Sequence, residues 1–122
     1  MSERYIGLMS GTSMDGIDAV LVTLDGETLR VEAALCHPWP EATARELHAL
    51  CTPGDNEIDR MGVADNHVAQ VFAAATLALL AKAGLEPKDI RAIGSHGQTV
   101  RHRPALGFTL QIGNAALLAA LT

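Results

Sequence analysis

No uninterrupted apolar run in these 122 residues approaches the ~20 that a membrane-spanning helix needs. The longest candidate, Val71 to Ala81, is about half that length and reads as the helix of a soluble protein. Met1-Ser2-Glu3-Arg4 is not followed by the apolar segment of a secretory leader, so the cytoplasm is the expected compartment. Cysteine is scarce. Cys36 and Cys51 form no Cys-x-x-Cys pair and no zinc spacing, and they read as buried free thiols in a reducing compartment. His37, His48 and His67 show no ligand spacing either, and no metal-binding residue is expected among them. Basic residues are outnumbered, with 9 Lys and Arg against 14 Asp and Glu, for a net charge of −5. That balance argues against nucleic acid as a partner and against a polybasic membrane anchor. What remains is 48% hydrophobic and 19% charged, the balance of a folded globular chain rather than a disordered one. The length suits one domain or one part of a larger protein.

Apolar periodicity divides the chain into strands and helices. Tyr5 to Met9 is short enough for a strand, and Ile17 to Leu24 makes a second. The second has apolar residues on both faces, which predicts a sheet covered on both sides. Asp25-Gly26 signals a hairpin into a third strand, Leu29 to Leu35, with Leu29, Val31, Ala33 and Leu35 expected on one face. Pro38-Trp39-Pro40 stops it, with Trp39 as a packing residue. A helix is expected from about Glu41 to Cys51, closed by Pro53-Gly54. Another begins near Glu57 or Ile58 and carries Val68, Val71, Phe72, Ala75 and Leu79 at helical spacing. Within it, Asp65, Asn66 and His67 read as a polar face. Lys82, Gly84 and Pro87 are its stop signals. A fourth strand is expected from about Ile90 to Gly94 and a fifth from Thr109 to Ile112. A last helix, Ala115 to Leu121, is capped by Asn114. That helix is apolar almost all round and has no closing signal at Thr122, so the natural protein is expected to continue.

The richest chemistry lies in Gly7-Leu8-Met9-Ser10-Gly11-Thr12-Ser13-Met14-Asp15-Gly16-Ile17-Asp18. Glycines and hydroxyls crowd a turn between two buried strands. Glycine lets a ligand approach the backbone closely, and successive amides in such a turn make an anion nest. Ser10, Thr12 and Ser13 can donate to phosphate oxygens, and Asp15 or Asp18 could hold Mg²⁺ directly or through water. The alternative for the same residues is a solvated hairpin with Asp15-Gly16 at its tip. There is no GxxxxGK[ST] pattern and no lysine nearby, so the segment is not a P-loop.

The stretch Tyr5 to Asp18, YIGLMSGTSMDGID, resembles the N-terminus of the anhydro-N-acetylmuramic acid kinases. Gly94 to Pro104, GSHGQTVRHRP, resembles the second hallmark of that family, and Thr109 to Asn114, TLQIGN, the third. The resemblance covers nearly the whole chain. It implies the N-terminal lobe of a two-lobed, actin-like ATPase or sugar-kinase fold of ribonuclease H-like type. That is an α/β lobe over residues 1–122, truncated before the second lobe. Its five-stranded sheet would run antiparallel meander, helix, strand, helix, strand. By the same resemblance, Gly11, Thr12, Ser13, Met14, Asp15, Gly16, Ile17 and Asp18 form the ATP-binding hairpin, with Mg²⁺ bridging phosphates. His96, Gln98 and Thr99 line the sugar side of the cleft. Arg101 and Arg103 are candidates for the sugar's lactyl carboxylate, and a solvated surface is the commoner fate of such a pair.

The implied activity has two parts. Water opens the 1,6-anhydro ring of the amino sugar, and the γ-phosphate of ATP moves to the freed 6-oxygen. The product is N-acetylmuramic acid 6-phosphate, a peptidoglycan-recycling intermediate. The family's catalytic aspartate belongs to a later motif, so no catalytic residue is expected within this chain. A homodimer is also implied. The alternative is a non-catalytic nucleotide- or protein-binding module left by a truncated gene.

Overall fold

The computed structural model describes residues 2–122. Three strands, β1 (Ser2–Ser10), β2 (Ile17–Asp25) and β3 (Thr28–His37), form an antiparallel meander. Two helices follow, α1 (Glu41–Leu50) and α2 (Glu57–Ala83). The chain then enters β4 (Ala92–Arg103), turns into β5 (Phe108–Ile112) and ends in α3 (Ala115–Leu121). The strand order is β3-β2-β1-β4-β5, with β4 parallel to β1 and the other neighbours antiparallel. This is the expected mixed five-stranded α/β sheet with flanking helices.

Burial alternates along the strands as a one-sided core requires. Ile6, Leu8 and Ser10 of β1 and Ile17, Ala19, Leu21 and Thr23 of β2 are buried. Against them α2 places Val68, Phe72, Ala75 and Leu79, all below 1% exposure. Gly84 ends α2 in the left-handed region (φ 69°), and its amide and that of Leu85 return to carbonyls of the last turn. Asn114 caps α3 by accepting from the Leu117 amide at 3.1 Å, as expected. By length and composition α2 could cross a bilayer, since its most apolar window has mean hydropathy 1.3. Half of that window is buried inside the fold, as in the core helix of a soluble protein. The apolar stretch is therefore longer than its Val71–Ala81 centre suggests.

Several expectations need correcting. Cover on both sheet faces is met on one only. The opposite face carries Met9, Val20, Val22 and Leu24, which are exposed or half-buried among the described residues. The third strand does not keep one face. Its pairing with β2 jumps from Leu21–Ala33 to Val22–Val31, leaving Glu32 as an extra residue. That bulge turns Leu29 and Val31 to the face away from Ala33 and Leu35, where they are 60% and 57% exposed. Cys36 and Cys51 are exposed rather than buried. The fourth strand does not stop at Gly94 but runs on to Arg103. No helix separates it from β5. A 3₁₀ turn at Pro104–Leu106 joins the two as a hairpin, because residues beyond Gln98 pair with β5.

Candidate functional site

β1 ends at Ser10, and the chain reverses through Gly11 to Gly16 before β2. The Met14 amide donates to the Gly11 carbonyl at 3.1 Å, which closes a tight turn with Thr12 and Ser13 exposed at its tip. Met14 takes a left-handed backbone (φ 56°), unusual for a side-chain-bearing residue, and buries its thioether in the core. The buried side chain fixes the strained turn from below. Gly16 packs closely against β3, since a Cβ there would stand 2.5 Å from the Cys36 sulfur, which would have to turn away, and 3.3 Å from the His37 carbonyl oxygen. Ser13 Oγ donates to Asp15 Oδ2 at 2.8 Å. The Thr12 and Ser13 amides find no acceptor among the described residues. The turn therefore presents free backbone donors and a hydroxyl in one small arc, the composition of an anion nest.

The second cluster lies beside this turn. β4 pairs in parallel with β1 up to Leu8–Ser95, and pairing resumes at Ser10–Gln98 with one extra residue in β4. Gly97 sits in that irregularity with φ 76°. A Cβ there would lie 2.4 Å from the Ile112 carbonyl oxygen, so only glycine fits. The strand alternation leaves His96 and Thr99 on the sheet face that no helix covers among the described residues. His96 is exposed, with Nδ1 3.3 Å from the Gly97 oxygen. Thr99 is half-buried and its hydroxyl accepts from Gln111 Nε2 at 3.0 Å. Gln98 points the other way and is fully buried.

Register brings the two clusters together. Asp18 stands opposite Met9 on β1, and Met9 is flanked on its other side by His96 and Gly97. Asp18 and His96 thus border the same end of the open face, two strand spacings or roughly 10 Å apart. Met9, 51% exposed, is the floor between them. The fold therefore assembles the turn, Asp18, His96 and Thr99 at the carboxyl end of β1.

Arg101 is not part of this assembly. Its guanidinium reaches to the helix side, where it donates to the Leu50 carbonyl at 3.0 Å and pairs with Glu57. It ties the end of α1 and the start of α2 to the sheet, and its charge is already matched. Arg103 is exposed. Asp65 and Asn66, a plain helix face by their letters, hold the β5–α3 junction. Asp65 Oδ1 accepts from the Gly113 amide at 2.6 Å, and Asn66 Oδ1 accepts from Asn114 Nδ2 at 2.9 Å. His67 Nδ1 lies 2.9 Å from Glu46, which links α2 to α1.

The sequence reading missed Met9 as the floor of the site and Trp39 as a hydrogen-bond donor. It also gave Ser10 the wrong place: expected among the phosphate donors with Thr12 and Ser13, it is 1% exposed beneath the turn. Trp39 Nε1 donates to Ser10 Oγ at 3.1 Å while its ring packs on Phe72, with centroids 5.9 Å apart. Trp39 is thus a packing residue, as expected, and also a hydrogen-bond donor beneath the turn.

For Mg²⁺, no group of three or more His, Cys, Asp or Glu side chains could hold a metal by itself among the described residues. Asp15 and Asp18 are exposed beside the turn, and neither joins an ion pair among the described residues. One or two carboxylates supplemented by phosphate oxygens is the donor set Mg²⁺ favours, so these residues fit it.

The sheet, its helices and the glycine- and hydroxyl-bearing turn are consistent with the N-terminal domain of a sugar kinase. The family model for anhydro-N-acetylmuramic acid kinase matches residues 3–122. The chain belongs to that family. A Bordetella pertussis protein named anhydro-N-acetylmuramic acid kinase is 56% identical over 117 residues, covering 96% of this chain and 31% of its own length. Proteins of the same name from Cupriavidus pinatubonensis and Pseudomonas putida are each 52% identical, covering 98% and 97% of this chain. The chain spans about a third of the length of these curated relatives.

Proposed function

We propose that this chain is the phosphate-gripping N-terminal lobe of a cytoplasmic, ATP-dependent kinase acting on anhydro-N-acetylmuramic acid in peptidoglycan recycling. The observation that carries this reading is the turn from Gly11 to Gly16. Its tip amides are free, and it sits beside Asp18, His96 and Thr99 in a chain whose family is established. The Thr12 and Ser13 amides and hydroxyls would bind the terminal phosphate oxygens, with Gly11, Met14, Gly16 and Ile17 shaping the backbone that presents them. Asp15 and Asp18 would hold Mg²⁺, which neutralises phosphate charge during transfer. His96 and Thr99 would meet the sugar. The lobe would take the actin-like, ribonuclease H-like role of a two-lobed ATPase, whose second lobe would close the cleft.

The reaction balances simply. A carboxylate outside this chain takes a proton from water. The water oxygen bonds to C1 as the C1–O6 bond breaks. O6 then takes the γ-phosphoryl group and ADP leaves. This lobe orients the γ-phosphate for in-line attack and stabilises its charge, which is most of what phosphoryl transfer asks of a protein.

The test is turnover. The 122-residue chain alone, given MgATP and the anhydro sugar, should show none in a coupled ADP assay. Joined to the remaining two-thirds of the Bordetella pertussis relative, it should form the 6-phosphate product, detected by mass spectrometry. Sustained turnover by the lone chain, or a folded hybrid that makes no sugar phosphate, would overturn the reading.

A further inference from the structure

Gln98 is the one fully buried side-chain amide beneath the turn, and its environment fixes which way it points. One end of the amide faces two carbonyl oxygens, those of Gly11 and Thr99, each 3.2 Å away. Two acceptors demand a donor, so that end is the NH₂ group. The other end, Oε1, is buried with no partner among the described residues. A leucine or methionine would fill this volume without stranding an acceptor. What an apolar residue would lack is the pair of N–H donors.

Those donors join the two halves of the site. Gly11 is the first residue of the turn, and its carbonyl already accepts from the Met14 amide. Gln98 adds a second donor to the same oxygen from 87 residues further along the chain. Its other proton bonds to the Thr99 carbonyl, and the Thr99 hydroxyl accepts from Gln111. Gly97, which admits no side chain, takes up the extra residue of β4, so that Gln98 rather than Gly97 stands beside Ser10 on the helix-covered face.

We propose that Gln98 is a positioning residue that locks the Gly11 turn in its phosphate-binding shape and couples it to the strand bearing Thr99. This deepens the phosphate-binding reading above and rests on it. Gln98 itself touches neither nucleotide nor sugar. It acts through the Gly11 carbonyl, by keeping the Thr12 and Ser13 amides aimed in one direction.

The experiment has two arms. In the 122-residue chain, amide hydrogen exchange at Met14, whose N–H closes the turn onto the Gly11 carbonyl, is compared between wild type and Gln98→Met. Methionine keeps the volume and removes both donors, so exchange should quicken about tenfold, the loss of one net hydrogen bond. In the hybrid kinase, KM for ATP should rise about tenfold while KM for the sugar stays within twofold and the melting temperature is kept. Gln98→Glu keeps the shape but sets a carboxylate against two carbonyls, and should be worse than Gln98→Met in both arms. Unchanged exchange in a folded variant overturns the proposal. A rise confined to the sugar KM also overturns it and makes Gln98 a sugar contact. If no variant folds, the wild-type chain still decides. A coupling across the hydrogen bond from Gln98 Nε2 to the Gly11 carbonyl carbon is expected by NMR, and its absence rejects the lock. If the exchange arm succeeds while wild type binds no tripolyphosphate, the phosphate reading fails and the lock stands as a purely structural feature.

Discussion

Trp39 Nε1 donates a hydrogen bond to Ser10 Oγ at 3.1 Å, joining the segment after β3 to the last residue of β1. Ser10 is 1% exposed, so water does not replace this partner. The same indole ring leans on Phe72 of α2. One side chain therefore carries the register of the core helix to the base of the turn.

That double role gives a separable prediction. Trp39→Phe keeps an aromatic ring for Phe72 but removes the one side-chain donor that Ser10 Oγ has among the described residues. Stranding a buried hydroxyl and shrinking the ring together should cost about 1–3 kcal/mol. Urea denaturation followed by circular dichroism measures it. A companion Ser10→Ala variant separates the two contributions, because Trp39→Phe should then cost less in its background than in wild type. Equal costs in both backgrounds would show that the hydrogen bond contributes nothing.

Gly97 and Gly94 make a controlled pair on one strand. A Cβ at Gly97 would fall 2.4 Å from a backbone oxygen and would require a left-handed L-residue. Backbone strain alone costs about 1–3 kcal/mol, and the clash with Ile112 adds to it. A Cβ at Gly94 meets nothing within 4 Å. Gly97→Ala should therefore unfold the chain or separate β5 from β4, while Gly94→Ala should change stability by less than about 0.5 kcal/mol. Thermal melts of the two variants side by side check this, and similar melting temperatures would refute the close approach.

The legible parts of this fold were those set by near neighbours in the chain. The β1–β2–β3 meander followed from short apolar runs and Asp25-Gly26, and α2 from the spacing of Val68, Phe72 and Leu79. The turn itself stood out because glycines and hydroxyls cluster there. The reach of β4 did not, because His96-Gly97-Gln98-Thr99 has the letters of a loop. It becomes a strand through distant partners, Ser10 on one side and Ile112 on the other. The Glu32 bulge was hidden for a related reason. An extra residue leaves the apolar alternation of β3 intact and shifts only its alignment with β2. Arg101 looked free in a basic stretch, and only the docking of α1 and α2 gives it Glu57 and the Leu50 carbonyl. Trp39 and Ser10, 29 residues apart, could not be linked from the sequence at all.

The tip of the turn offers the most direct trial of its chemistry. Thr12 is exposed and makes no side-chain hydrogen bond among the described residues, so Thr12→Ala should leave stability within about 0.5 kcal/mol of wild type. If its hydroxyl donates to a phosphate oxygen, one charge-assisted hydrogen bond is lost in the nucleotide complex, about 1.5–3 kcal/mol. In the hybrid kinase that loss should appear in kcat/KM for ATP as about a tenfold to hundredfold fall. Asp18→Asn tests the metal side of the same site. It removes a carboxylate that forms no ion pair among the described residues, so the fold should be indifferent while the magnesium dependence of the rate shifts to higher concentration. The two variants are expected to differ in kind, with saturating magnesium restoring part of the Asp18→Asn rate and none of the Thr12→Ala rate. Wild-type kinetics from Thr12→Ala, at unchanged stability, would strike the Thr12 hydroxyl from the phosphate contacts and leave the grip to the turn's amides.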